Sequence, residues 1–110
     1  MVEGFWIVQY EGMKGNGGGV VVFIKGKIFG GDTGYTYTGS YQFDKNSLKA
    51  NVMVRNFLAD IPSVLGVVGD FELNIAGKME GNVIRATGAV PNVQAVGIAL
   101  KLTKRAELPE

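Results

Sequence analysis

The chain has 110 residues, 46% of them hydrophobic and 19% charged, and its eleven basic and ten acidic side chains leave a net charge of +1. That is the length of one domain, too apolar for a disordered chain and too evenly charged for counterion-driven binding to nucleic acid. Histidine and cysteine are both absent, which removes Ser-His-Asp and Cys-His nucleophiles, the usual zinc sites and disulfides, and favours a reducing, cytoplasmic home.

Seventeen glycines without a collagen-like period read as turns and close backbone contacts in a β protein. Pro62, Pro91 and Pro109 all fall where no strand would be interrupted. The opening Met1-Val2-Glu3-Gly4 lacks the basic and apolar regions of a signal peptide. No apolar stretch reaches the ~20 residues of a membrane-spanning helix. The expectation is a soluble cytoplasmic domain that binds neither membrane nor nucleic acid. Lys101, Lys104 and Arg105 read as a solvated end rather than a DNA-binding face.

Taken in chain order, alternation of apolar and polar residues predicts a first strand over Glu3–Glu11 and a second over Gly18–Lys25, joined by a glycine-rich loop, Gly12–Gly17. A Gly26-Lys27 turn leads to a third strand, Lys27–Asp32, and then a fourth, Tyr35–Phe43. Asp44-Lys45-Asn46 turns into a fifth, Ser47–Asn56, with Leu48, Ala50, Val52 and Val54 on one face. The segment Phe57–Val68 carries Asp60-Ile61-Pro62 and reads as a loop with one short turn. A sixth strand runs from about Val67 to Ala76, followed by a Gly77–Gly81 turn, a seventh over Asn82–Val90 and a last over Gln94–Lys104.

Eight short antiparallel strands with hairpin-length connections predict a single all-β domain over residues 1–110, an up-and-down barrel that closes its own edges. A β-sandwich is the alternative. Phe5 to Val8 and Val20 to Ile24 are apolar on both faces, so both faces are covered. A second subunit or the Phe57–Val68 loop would supply the outer cover.

No motif announces a reaction. The internal carboxylates Asp32, Asp44, Asp60, Asp70 and Glu72 fall at positions that read as turns and polar faces. An enzyme would call for a cavity holding two acids, or an acid beside a tyrosine hydroxyl. The glycines of Gly15-Asn16-Gly17-Gly18-Gly19 open a strand rather than a helix, so they form no phosphate cradle. No catalytic residue, metal ligand or cofactor is implied. Tyr35, Tyr37, Tyr41 and Phe43 share one face of the fourth strand, with a gap at Gly39. Such a stripe fills a core, lines a cavity or anchors an interface.

Two resemblances add to this reading. Gly4-Phe5-Trp6 is similar to the Gly-x-Trp of lipocalin-like barrels, where the indole closes the barrel floor under a basic side chain of the last strand, here Lys104 or Arg105. GGGVVVFIKGKIFGGD at Gly17–Asp32, YTGSY at Tyr37–Tyr41 and IPSVLG at Ile61–Gly66, in this order and spacing, resemble the GrlR-like negative regulators of type III secretion. The resemblance runs from Gly4 to about Leu102. It implies a lipocalin-like barrel that dimerises, encloses an apolar cavity and holds a transcriptional activator by protein contact without binding DNA. The family's acidic partner-binding loop matches the turn Phe43-Asp44-Lys45-Asn46, which has one acid.

The resulting expectation is a regulatory, protein-binding homodimer with its partner contact at Phe43, Asp44, Lys45 and Asn46. The alternative is a carrier of a small hydrophobic ligand. Its cavity would be lined by the aromatics Tyr37, Tyr41 and Phe71 and the aliphatics Val52, Val54, Leu73 and Leu100.

Overall fold

The computed structural model describes residues 2–12, 15–58, 69–91 and 97–110. Its elements are β1 (Gly4–Gly12), β2 (Gly15–Ile24), β3 (Lys27–Gly31), β4 (Tyr35–Asp44), β5 (Ser47–Asn56), β6 (Phe71–Glu80), β7 (Val83–Ala89) and β8 (Gly97–Ala106). Each strand pairs antiparallel with the next, and β8 pairs with β1. This is a closed up-and-down barrel, not a sandwich. The reason is local: hairpin turns leave each strand beside its predecessor, and closure pairs the two edges a meander would expose. Among the described residues no helix is long and apolar enough to cross a membrane.

Several boundaries differ from those the alternation predicts. The β2–β3 turn is Lys25-Gly26, with φ of 49° and 80°, between the paired Ile24 and Lys27. That is one residue earlier than expected, because two successive left-handed residues match the strand twist. Lys45 and Asn46, with φ of 52° and 65°, do the same between β4 and β5. β1 runs to Gly12 and β2 begins at Gly15, so Gly12, Gly15 and Gly17, read as loop, are ladder residues. β6 runs to Glu80, with Ala76 and Gly77 paired to Thr87 and Ala86, and its turn is at Gly81. The predicted starts of the sixth and eighth strands at Val67 and Gln94, the turn around Pro62 and the whole of IPSVLG lie outside the described residues.

Period 2 divides every strand into an inner and an outer row. The inner rows form one core, and the barrel is closed at the end where β1, β3, β5 and β7 begin. Trp6, Phe23, Leu48 and Ile84 are its fully buried side chains. Trp6 meets Phe23 edge-on at 5.8 Å between centroids, and Phe23 meets Tyr41 edge-on at 5.1 Å. The indole N–H donates to the Val2 carbonyl at 2.8 Å, so the buried ring leaves no polar atom unpaired. Lys104 lies across from Trp6 in the β1–β8 ladder and pairs with Glu107 at 2.8 Å, while Arg105 is exposed.

Candidate functional site

Above this floor the inner rows part around a cavity of about 320 Å³. Its wall is predominantly aliphatic, with Val8, Val21, Val52, Leu73 and Leu100 at mid-height. At the other end of the barrel the wall turns polar. There Tyr10 at the end of β1, Asp32 just after β3 and Tyr37 near the start of β4 converge.

Asp32 organises this end. Its Oδ1 accepts the backbone N–H groups of Gly34 and Tyr35, each at 3.0 Å. Its own N–H donates to the Tyr35 carbonyl at 2.9 Å. The side chain therefore builds the β3–β4 turn, as Asp does when its carboxylate reaches amides two and three residues on. Oδ2 accepts the Tyr10 hydroxyl at 2.5 Å and the Tyr37 hydroxyl. Four donors thus occupy the four acceptor positions of one carboxylate.

The electrostatics follow from these contacts. Burial pushes Tyr10 up to about 12, with the neighbouring Asp32 adding to the shift. Tyr37 is pushed up further, by burial first, then by Asp32 and by the adjacent Tyr10 hydroxyl. Burial would also raise Asp32, but its hydrogen bonds from Tyr10, Tyr37, Gly34 and Tyr35 outweigh it and hold the carboxyl below its ordinary value. The cluster is an anion at neutral pH, stabilised by protons that the tyrosines do not release.

Two glycines of β2 make room for it. A methyl group at Gly17 would stand 2.9 Å from the Tyr10 ring. One at Gly19 would stand 2.7 Å from the Gly31 carbonyl oxygen, 3.0 Å from the Tyr37 hydroxyl and 3.1 Å from the Asp32 Cβ. The inner row of β2 thus changes from Val21 and Phe23, which fill the core, to Gly17 and Gly19, which admit aromatic rings from β1 and β4.

Of the residues read as cavity lining, Tyr37, Val52, Val54, Phe71, Leu73 and Leu100 stand on the wall. Tyr41 does not, because it packs on Phe23 towards the closed end. The turn at Phe43–Asn46 lies at that closed end, opposite the polar cluster. Asp44, Lys45 and Asn46 are exposed there, and Phe43 packs inward on the core. Tyr10 and Asp32 were missed. The signal for Tyr10 was its parity with Trp6 and Val8; Asp32 follows a strand end, where an acid reads as an ordinary turn residue.

The family model described as the T3SS negative regulator GrlR matches residues 1–99 of the chain. The chain belongs to the GrlR family. No curated protein matches it. As a GrlR-family barrel it has a single acid, Asp44, in the β4–β5 turn. Its cavity carboxylate, Asp32, lies at the far end of the barrel from that turn. GrlR membership also places the chain in a family of negative regulators of type III secretion.

Proposed function

We propose that the chain is a cytoplasmic regulatory barrel that lowers type III secretion by holding a transcriptional activator through protein contact, and that it acts as a homodimer. The observation carrying this reading, beyond family membership, is the outer face of β1–β3. Phe5, Val22 and Phe29 stand opposite one another in consecutive strands, and Ile7 is opposite Val20 in the next row. Phe5, Val20 and Phe29 are 37%, 41% and 53% exposed. Scattered apolar side chains are normal on a surface, but a contiguous set marks an interaction face. An apolar patch can pair with its own copy across a two-fold axis, as a symmetric dimer requires. Co-expression with the activator of type III secretion genes from the same host, followed by native mass spectrometry, tests the proposal. A complex of dimeric barrel and activator supports it. A monomer that leaves the activator free overturns it. The turn at Phe43–Asn46 is the proposed activator contact, and unchanged binding after Asp44→Ala and Lys45→Ala would remove that assignment.

A second reading, carriage of a small hydrophobic ligand, is favoured by the cavity of about 320 Å³, which lies in the range of small-molecule sites. We assign no reaction to it. An acid beside tyrosine hydroxyls is the arrangement an enzyme asks for, yet a general acid or base works best with its pKa near the ambient pH. Tyr10 and Tyr37 are moved up and Asp32 down, all away from neutrality. The cluster suits recognition, not proton transfer.

A further inference from the structure

We propose that the cavity takes a small apolar molecule whose head group donates hydrogen bonds, a hydroxyl or an ammonium, and that it turns away carboxylates such as fatty-acid anions. The inference rests on the cavity being a ligand site and names what that site selects. The side chains with polar atoms on the cavity wall are those of Tyr10, Asp32, Thr33, Tyr35 and Tyr37. A tyrosine hydroxyl has one proton to give and lone pairs to receive. Tyr10 and Tyr37 both give theirs to the Oδ2 of Asp32, and their two hydroxyls also lie within hydrogen-bonding reach of each other, which leaves each oxygen a lone pair to offer. Towards a ligand they offer acceptor oxygens backed by a full negative charge. Oδ1 is already engaged by the Gly34 and Tyr35 amides, so the carboxylate is fixed in place and cannot swing aside.

Among the described residues that line the cavity there is no lysine or arginine. A fatty-acid carboxylate would therefore bring a second anion beside Asp32 into an apolar space with no cation to receive it. Like charges brought together there are unfavourable, less so than in a dry interior because Asp32 is only partly buried, but with no cation to offset them. A hydroxyl or ammonium meets the opposite situation. It places donors on the tyrosine oxygens, and an ammonium also gains from the Asp32 charge. Burial of the ligand's apolar part against the valine and leucine wall supplies affinity, and the tyrosine–aspartate end supplies the choice of head group.

The size of the cavity sets the probe. About 320 Å³ is room for on the order of ten water-sized units at liquid density. A ten-carbon chain with three different heads isolates the head group: decylamine, decanol and decanoate, each below its micelle concentration at neutral pH. Affinities would be measured by isothermal titration and checked by native mass spectrometry on the intact chain. The expected result is binding of decylamine and decanol, with decanoate weaker by at least about tenfold. Asp32→Asn retains an oxygen for the Gly34 and Tyr35 amides while removing the charge, and it should bring decanoate to within about threefold of decanol. Equal binding of all three heads by the unaltered chain would overturn the head-group assignment and leave the ligand site standing. Binding of none would overturn both. The comparison on the unaltered chain decides the matter even where Asp32→Asn does not fold.

Discussion

Replacing Tyr37 by Phe removes one hydroxyl and little else, so it measures the hydrogen bond to Asp32 directly. The ring keeps its place on the cavity wall, and the lost atom is a donor to an ionised carboxylate. Hydrogen bonds to charged groups contribute about 1.5–3 kcal/mol net. Asp32 is only partly buried and keeps three other donors, so the lower half of that range applies, ~1.5–2 kcal/mol. A domain with the usual ~5–15 kcal/mol of stability stays folded after that loss. Trp6, the single tryptophan and fully buried, reports unfolding by its fluorescence in a urea titration. The midpoint should fall with an unchanged slope, and the melting temperature should drop by roughly 6–10 °C. The decisive comparison is the same change made in Asp32→Asn. There the partner is a neutral amide, so losing the hydroxyl should cost only ~0.5–1 kcal/mol, which gives a coupling energy of ~1 kcal/mol. Equal losses in the two backgrounds would show that the Tyr37 hydroxyl does not act through the Asp32 charge, and the account of the polar end would fail.

The remaining predictions concern pH, packing and the outer surface. Asp32 has a folded-state pKa below its ordinary value; it therefore adds stability above the usual carboxylate range that is lost as pH falls through the folded value, and urea midpoints between pH 5 and pH 2 should decline less steeply in Asp32→Asn. Tyr10 and Tyr37 are shifted upward, so their contribution is whole below the ordinary tyrosine pKa and is lost as pH rises beyond ~10; Tyr37→Phe should flatten that alkaline decline. Gly19→Ala sets a methyl 2.7 Å from the Gly31 carbonyl oxygen and 3.0 Å from the Tyr37 hydroxyl. Overpacking of ~1–3 kcal/mol outweighs the ~0.4–1 kcal/mol that alanine returns by restricting the unfolded chain, so the urea midpoint should fall. Phe29→Asp, at a position 53% exposed, should leave the thermal midpoint of a monomer nearly unchanged and halve the mass measured by light scattering; a mass that stays dimeric would remove the β1–β3 face as the interface.

The barrel was legible because its information is local. Alternation in Ser47–Asn56 placed β5 to the residue, and glycine or asparagine between apolar runs marked most of the hairpins. Errors arose where one residue type serves two purposes. Gly15 and Gly17 looked like loop, as glycines clustered between two strands usually are, yet they are ladder partners of β1. Gly77 looked like the start of a turn and is paired with Ala86. Lys25 gave no sign that it would take a left-handed conformation, because sterics favour glycine or asparagine there without requiring them.

The site was less legible, for a reason that belongs to barrels. The cavity wall takes one to four residues from each of seven strands, β1 to β6 and β8, and the inner parity of each strand names its members one strand at a time. Aliphatic members such as Val52 and Leu73 follow from parity alone. The polar end does not, since it depends on how far up the barrel each strand reaches. Tyr10, Asp32 and Tyr37 meet because β1 and β4 place their tyrosines at the level where β3 ends, and register of that kind is fixed by turn lengths and bulges between distant segments.

Within β2 the two proposed activities fall on opposite faces of one strand. Gly17, Gly19, Val21 and Phe23 point inward, three of them lining the cavity, while Val20, Val22 and Ile24 point outward beside Phe5 and Phe29. Because side chains alternate strictly, a polar change at Val22 disturbs the outer patch and leaves the cavity wall intact, and a change at Val21 does the reverse. Sites that share no partner contribute additively. Val22→Thr should therefore alter the measured mass and leave decanol affinity unchanged, whereas Val21→Ala should alter affinity and leave the mass unchanged. Non-additivity in the double variant, beyond about 0.5 kcal/mol in ligand affinity, would mean that the sheet transmits between its faces. Occupancy of the cavity would then bear on assembly, since a ligand shifts an equilibrium only by its difference in affinity for the two states.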